Sequence, residues 1–241
     1  MHAAHWFLWT NHYRYLWKMK REIVLTEDGS YTLRMVDLEE TYHSTFGAVQ
    51  EAMHVFVQHG LQWKESEKRS GLKILEVGFG TGLNAWLTAI HAQLGVYYVG
   101  IEAFPVEQEL LDALKYEKSI PEHGQLFQAI CSAKWGVPVD LSGRFTIEKL
   151  HLKIQDAMLE SNFFDVVYFD AFGPSVQKEM WSTEVLAKLY AAMKEGGALV
   201  TYCAQGQFRR DLKALGFVLE SLPGPPGKRE MTRAIKVKSN N

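Results

Sequence analysis

From Lys73 onward, short apolar runs alternate with segments whose apolar residues recur at helical spacing. "KILEVGF" reads as a strand, and "LNAWLTAIHAQL" as a helix with Leu83, Trp86, Leu87, Ile90 and Leu94 on one face. "YYVGIEAF" and "EQELLDALKY" repeat the pair. A strand near "TIEKLHLKIQDA" precedes the apolar run "FDVVYFDAF". The helix "TEVLAKLYAAMK" follows and is expected to stop at Gly196-Gly197, a helix C-terminal signal. Strand "ALVTYC", helix "GQFRRDLKAL" and strands "FVLESL" and "MTRAIKV" complete the pattern. Such alternation predicts an α/β fold with a mostly parallel, seven-stranded sheet covered by helices on both faces. Upstream, "EIVLTEDGSYTLRM" reads as two short strands around an Asp28-Gly29 turn. "HSTFGAVQEAMHVFVQHGL" reads as a helix with Ala48, Ala52, Val55 and Phe56 at helical spacing and Ser44 as its N-cap.

The expected division is an aromatic leader (1–18), a small N-terminal strand/helix extension (19–70) and the main domain (71–241). The leader holds six aromatics broken by Asn11, His12 and Arg14, without the layout of a secretory signal. It reads as an upstream extension or peripheral appendage in preference to an interfacial anchor. No segment approaches the roughly 20 apolar residues of a membrane span, so no membrane partner is expected. Cys131 and Cys203 stand alone, which argues against a metal site or a disulfide framework and favours a reducing cytoplasm. Net charge is −2, but Gln205 to Lys238 carries eight Lys/Arg against three acids. That basic end is either an electrostatic footprint for phosphates or a solvated charged face.

Ligands of such sheets lie at the carboxyl ends of the strands, which draws attention to Gly78–Gly82, Glu102–Phe104, Gln155–Ala157 and Asp170–Pro174. The first loop, in "ILEVGFGTGLN", is G-x-G-x-G with Leu83 where a dinucleotide fingerprint wants Gly or Ala. Glu76, two residues ahead of Gly78, would repel phosphates and suits a cationic ligand. Glu102, 20 residues past Gly82, is placed to accept adenosine ribose hydroxyls. Asp156 is placed to read the adenine amino group, although taken alone it is equally a surface-turn aspartate. Together these features favour a Rossmann-like class I S-adenosylmethionine-dependent methyltransferase, with S-adenosyl-L-methionine bound by Glu76, Gly78, Gly80, Gly82, Asn84, Glu102, Ala103, Asp156 and Asp170.

Methyl transfer from a sulfonium needs positioning more than acid-base chemistry. An amine acceptor additionally needs a free lone pair, which a carboxylate can aim and deprotonate. Asp170, ending the run "FDVVYFD", is the catalytic candidate. Phe172 is placed to stack on substrate or adenine.

"EVGFGTGLN", "YHS" with Gly47-Ala48, "DAFGPSVQKEMW" and "GPPGKREMTRA" occur in this order. From about Ile23 to Val237 the chain resembles the methyltransferase of the tRNA 5-methylaminomethyl-2-thiouridine pathway. In many bacteria this is the N-terminal half of bifunctional MnmC; in others it stands alone (MnmD-like). The resemblance implies methylation of 5-aminomethyl-2-thiouridine at the tRNA wobble position, with Asp170 at the catalytic centre and the anticodon stem-loop as partner. It implies that Glu76, Gly78, Gly80, Gly82 and Glu102 hold the cofactor. Lys178 stands where proline is common in the family. The flavin-dependent oxidoreductase half is not expected here, so another enzyme must supply the aminomethyl form.

Tyr42, His43, Phe172, Lys228, Arg229 and Glu230 form the candidate substrate and tRNA set. For His43 a helix-start role competes with a place in the pocket. Lys228 and Arg229 follow "GPPG", a stiff turn expected to project them outward onto phosphates. Trp181 fits a core position better than a base-stacking one. Two alternatives stay open: a class I methyltransferase of small-molecule amines, and a non-catalytic RNA-binding protein on the same fold. Salt-sensitive tRNA binding separates the first of these from a tRNA enzyme.

Overall fold

The computed structural model describes residues 20–68 and 70–237, so the aromatic leader and Lys238 lie outside the described residues. A hairpin of β1 (Arg21–Leu25) and β2 (Tyr31–Met35) turns at Asp28-Gly29, and β3 (Glu40–Thr41) adds a third antiparallel strand. A continuous helix α1 (48–67) follows, its middle Met53–Gln62 wound in wider π turns. Its N-cap is Gly47, not the expected Ser44. The Asp28 carboxylate accepts the Gln50 amide at 3.0 Å, so the hairpin turn supplies the acceptor that Ser44 was expected to provide.

The main sheet comprises β4 (Leu72–Val77), β5 (Val96–Glu102), β6 (Pro138–Asp140), β7 (Phe145–His151), β8 (Phe164–Phe169), β9 (Met193–Thr201), β10 (Phe217–Pro223) and β11 (Glu230–Lys236). They lie in the order β10-β11-β9-β8-β4-β5-β7-β6. The five strands from β9 to β7 are parallel; β6, β10 and β11 run antiparallel to their neighbours. The eighth strand, beyond the seven expected, is β6. It is three residues long and begins with Pro138 on the sheet edge, too short to show a period.

Crossover helices α2 (Leu83–His91), α3 (Gln108–Leu114), α4 (Gly124–Ser132), α5 (Thr183–Ala192) and α6 (Gly206–Ala214) cover the sheet. The pleat of β4 shows how two cores arise. Ile74 packs with Phe56, Trp86 and Tyr98 on the α1/α2 side, while Leu75 and Val77 pack with Val185, Leu189 and Phe208 on the α5/α6 side. Glu76 falls on the Ile74 face by the same alternation. Helix α5 ends at Ala192, earlier than expected, and Gly196-Gly197 belong to β9. A Cβ on Gly197 would come within 2.8 Å of the Lys194 carbonyl, and Gly196 takes a left-handed φ of +73°, so the pair serves a tight turn of backbone within the strand instead of a helix stop.

Asp165, buried in β8, ties the end of α1 to the sheet. It accepts Lys68 Nζ at 2.5 Å, the Lys73 amide at 2.8 Å and Lys194 Nζ at 2.9 Å. Burial works to raise its pKa, and these donors outweigh burial and hold it low.

Candidate active site

The strand order reverses between β5 and β8 on either side of β4, so the crevice opens at the carboxyl ends of β4, β5 and β8. A cavity of about 410 Å³ lies there. Gly78, with φ +90°, ends β4 so close to its neighbour strand that a Cβ would fall 2.5 Å from the Asp170 carbonyl. At Gly80 a Cβ would meet the Tyr42 ring at 3.1 Å. Glu102 holds this turn open from β5: its Oε2 accepts the Gly80 amide at 2.9 Å and its Oε1 the Phe104 amide at 2.8 Å.

Beneath the turn runs a polar chain. Asn84, on the first turn of α2, donates through Nδ2 to Glu76 Oε1 and to Asp170 Oδ2, both at 2.8 Å. Tyr98 Oη donates to Glu76 Oε2 at 2.8 Å. Glu76 is fully buried, and burial, with Asp170 nearby, raises its pKa well above the carboxylate range. The Asn84 Oδ1 atom is buried and has no partner among the described residues.

Asp170 follows β8 and faces the cavity. Burial pushes its carboxyl up to about 7; the Glu51 carboxylate adds to the rise, and the Asn84 hydrogen bond and Lys228 oppose it. Glu51, on the first turn of α1 and 5% exposed, accepts the Ser44 amide at 2.7 Å and Lys228 Nζ at 2.6 Å. The Lys228 ammonium also lies 3.8 Å from the centre of the Tyr202 ring. Tyr202 donates to the Ala171 carbonyl at 2.7 Å. Phe172 meets Tyr42 edge-on with ring centres 5.2 Å apart. Burial lowers His43 to about 4, which leaves it neutral, and its backbone amide donates to Thr32 Oγ1 at 3.0 Å.

Of the candidates named from sequence, Gly78, Gly80, Glu102, Ala103, Asp170, Tyr42, His43, Phe172 and Lys228 line the cavity. Glu76 and Asn84 lie below it, and Gly82 caps α2. Three candidates lie elsewhere. Asp156 is exposed on a turn in which its amide donates to Lys153, and its neighbour Gln155 lines the cavity instead. Arg229 is exposed away from the cavity, and Glu230 pairs with Arg209 at 2.8 Å. Lys228, expected to project outward, turns inward to Glu51.

Part of the basic end is also consumed inside the fold, while Arg210, Lys213 and Arg229 stay exposed. Arg209 binds Glu230, Thr232 and the Met231 carbonyl; Arg233 binds Glu220 and the His59 carbonyl; Lys236 binds Asn162 and two carbonyls. Trp181 is a core residue whose indole donates to the Phe172 carbonyl at 2.8 Å. Gln155 belongs to a loop that the strand pattern points to, whereas Glu51, Tyr202 and Arg21 also line the cavity without having been singled out by it. Of these three, Tyr202 alone carries a signal in the sequence, its position at the carboxyl end of β9.

The residues fit S-adenosylmethionine: a glycine cradle with no room for side chains, and an acid at the end of β5 that lines the cavity. The strand order and this site define a class I S-adenosylmethionine-dependent methyltransferase. A family model described as "S-adenosyl-L-methionine-dependent methyltransferase" matches residues 127–237. The bifunctional tRNA 5-methylaminomethyl-2-thiouridine biosynthesis protein MnmC of Cupriavidus metallidurans is 35% identical over 231 residues, covering 88% of this chain and 33% of that protein. The MnmC of a Leptospira borgpetersenii strain is 30% identical over 208 residues, covering 80% of this chain and 32% of that protein. The crystal structure of MnmC2 from Aquifex aeolicus superposes with a TM-score of 0.70 at 26% identity, covering 92% of this chain and 72% of that one. The chain belongs to the family of the MnmC methyltransferase part, and it spans about a third of the length of these bifunctional relatives.

Among the described residues no helix is long and apolar enough to cross a membrane, and no cluster of His, Cys, Asp and Glu could hold a metal ion.

Proposed function

We propose that this protein is a tRNA-modifying N-methyltransferase that converts 5-aminomethyl-2-thiouridine to 5-methylaminomethyl-2-thiouridine at the wobble position, in the cytoplasm. The observation that carries this reading is Asp170, a carboxyl facing the cavity whose pKa burial raises to about 7. When bound, S-adenosylmethionine supplies a methyl group already activated on a sulfonium. Asp170 in its ionised form accepts a proton from the acceptor ammonium: an N–H bond breaks, a carboxyl O–H bond forms, and the nitrogen lone pair is freed for attack. Tyr42 and Phe172 wall the acceptor side with aromatic rings suited to an unstacked base.

In this reading the backbone of Gly78, Gly80 and Gly82 walls the cofactor, Ala103 lies beside it and Glu102 accepts the ribose hydroxyls. Asn84, tied to Glu76, holds the Asp170 carboxylate from beneath the cavity. Residues 19–70 act as an extension that supplies Tyr42, His43 and Glu51 to the domain at 71–241. The aminomethyl substrate comes from a separate enzyme, and the tRNA partner presents its anticodon stem-loop.

One observation favours a second reading. With Arg209, Arg233, Lys236 and Lys228 paired internally, the basic surface is smaller than the charge run suggested, which suits a small-molecule amine acceptor. Nucleoside analysis of tRNA from a deletion strain decides between them. Accumulated 5-aminomethyl-2-thiouridine is the expected result, and an unaltered modification profile overturns the tRNA assignment.

A further inference from the structure

The contacts of Lys228 are those that a protein uses to recognise a primary alkylammonium. Its Nζ lies 2.6 Å from Glu51 Oε1 and 3.8 Å from the centre of the Tyr202 ring. A carboxylate paired with an aromatic face is a recurrent ammonium site. The end of a lysine, CH2–NH3+, is also the same chemical group as a protonated aminomethyl substituent. We propose that Glu51 and Tyr202 form the seat of the acceptor's primary ammonium, and that Lys228 occupies this seat until the acceptor displaces it. The inference rests on the amine-acceptor reading above.

The two partners of the ion pair differ in a way that fits a fixed seat and a removable occupant. The Glu51 side chain is 7% exposed, lies on the first turn of α1 and is held by the Ser44 amide. Lys228 is 35% exposed and stands at the tip of the β10–β11 connection, where its amide donates to the Pro225 carbonyl. It can leave by rotating its side chain, with no change in the sheet. A buried carboxylate stripped of its cation is costly, so the lysine keeps Glu51 neutralised while the cavity waits for substrate. Asp170 lies within electrostatic reach of both groups and lines the same cavity. An ammonium seated on Glu51 therefore shares the cavity with the carboxylate that takes its proton. Once displaced, the lysine side chain extends into solvent, since it is already 35% exposed.

Occupancy by an internal ligand weakens apparent affinity by the fraction of seats left open. The Lys228→Met variant is therefore expected to lower KM for aminomethyl-bearing tRNA by roughly three- to tenfold, with kcat less affected. Glu51→Gln is expected to raise KM by about tenfold or more while binding of S-adenosylmethionine, measured by calorimetry, is unchanged. Ethylammonium chloride serves as a probe that needs no turnover: it should raise the melting temperature of Lys228→Met and leave wild type unmoved. A raised KM with a shallower salt dependence in Lys228→Met makes the lysine a phosphate contact and overturns the proposal. An equal response of both proteins to ethylammonium overturns it as well. If Glu51→Gln fails to fold, the Lys228→Met and ethylammonium results decide. If wild-type protein transfers no methyl group to aminomethyl tRNA, the substrate reading fails, while the ethylammonium response still reports on the seat.

Discussion

Replacing Asp170 by asparagine separates the effect of this carboxylate on the fold from its effect on the reaction. Burial, reinforced by Glu51, raises its pKa from the ordinary 3.8 to about 7. The folded protein therefore binds this proton more tightly than the unfolded chain does. The resulting penalty is absent below about pH 4, grows as pH rises toward 7 and is complete above that. Taken in full, the separation between the two values corresponds to about 4 kcal/mol. Solvent at the cavity mouth reduces it, and about 1–3 kcal/mol is the working expectation. Asparagine keeps the shape, and its side-chain oxygen can still accept from Asn84 Nδ2, whose bond to Asp170 is 2.8 Å. The variant should melt about 2–10 °C above wild type near pH 8, with the difference vanishing at about pH 4. Methyl transfer should fall by about 100-fold or more because the proton acceptor is gone. Thermal melts of the ligand-free proteins at the two pH values, with a transfer assay alongside, make the test. A variant no more stable than wild type near pH 8, or one that keeps full turnover, refutes the reasoning.

Gly78→Ala should abolish measurable binding of S-adenosylmethionine, because its Cβ would lie 2.5 Å from the Asp170 carbonyl in a left-handed backbone conformation; calorimetry checks this, and unchanged affinity contradicts it. Glu102→Ala leaves the Gly80 and Phe104 amides without their acceptor. Each loss costs about 1–3 kcal/mol if water cannot replace it, so weaker cofactor binding and a lower melting temperature are expected together.

Much of the architecture was legible before any coordinates. The strand–helix alternation from Lys73 onward, the hairpin at Asp28-Gly29 and the bare turn at Gly78–Gly82 depend on local patterns, and local patterns fix which residues face a core and where a strand must end. The end of α5 at Ala192 is not legible in Gly196-Gly197, because a glycine pair signals a helix stop and a tight strand approach equally well. The strand β6 was missed because three residues carry no period. Asp156 lost its expected place to Gln155 because a strand's end does not determine how the following turn is oriented.

The sequence by itself determined the sheet, the glycine turn and the carboxylate at Asp170, since each follows from spacing along a few consecutive residues. Only the tertiary structure decided what surrounds that carboxylate. Glu51 reads as one more polar residue on a helix, and Lys228 as part of a basic run, yet they meet across 177 residues of chain. Charge counting could not reveal this pairing, because a lysine turned into the fold and a lysine offered to solvent are written identically. The direction of each is set by which carboxylates, carbonyls and rings the folded chain brings within reach.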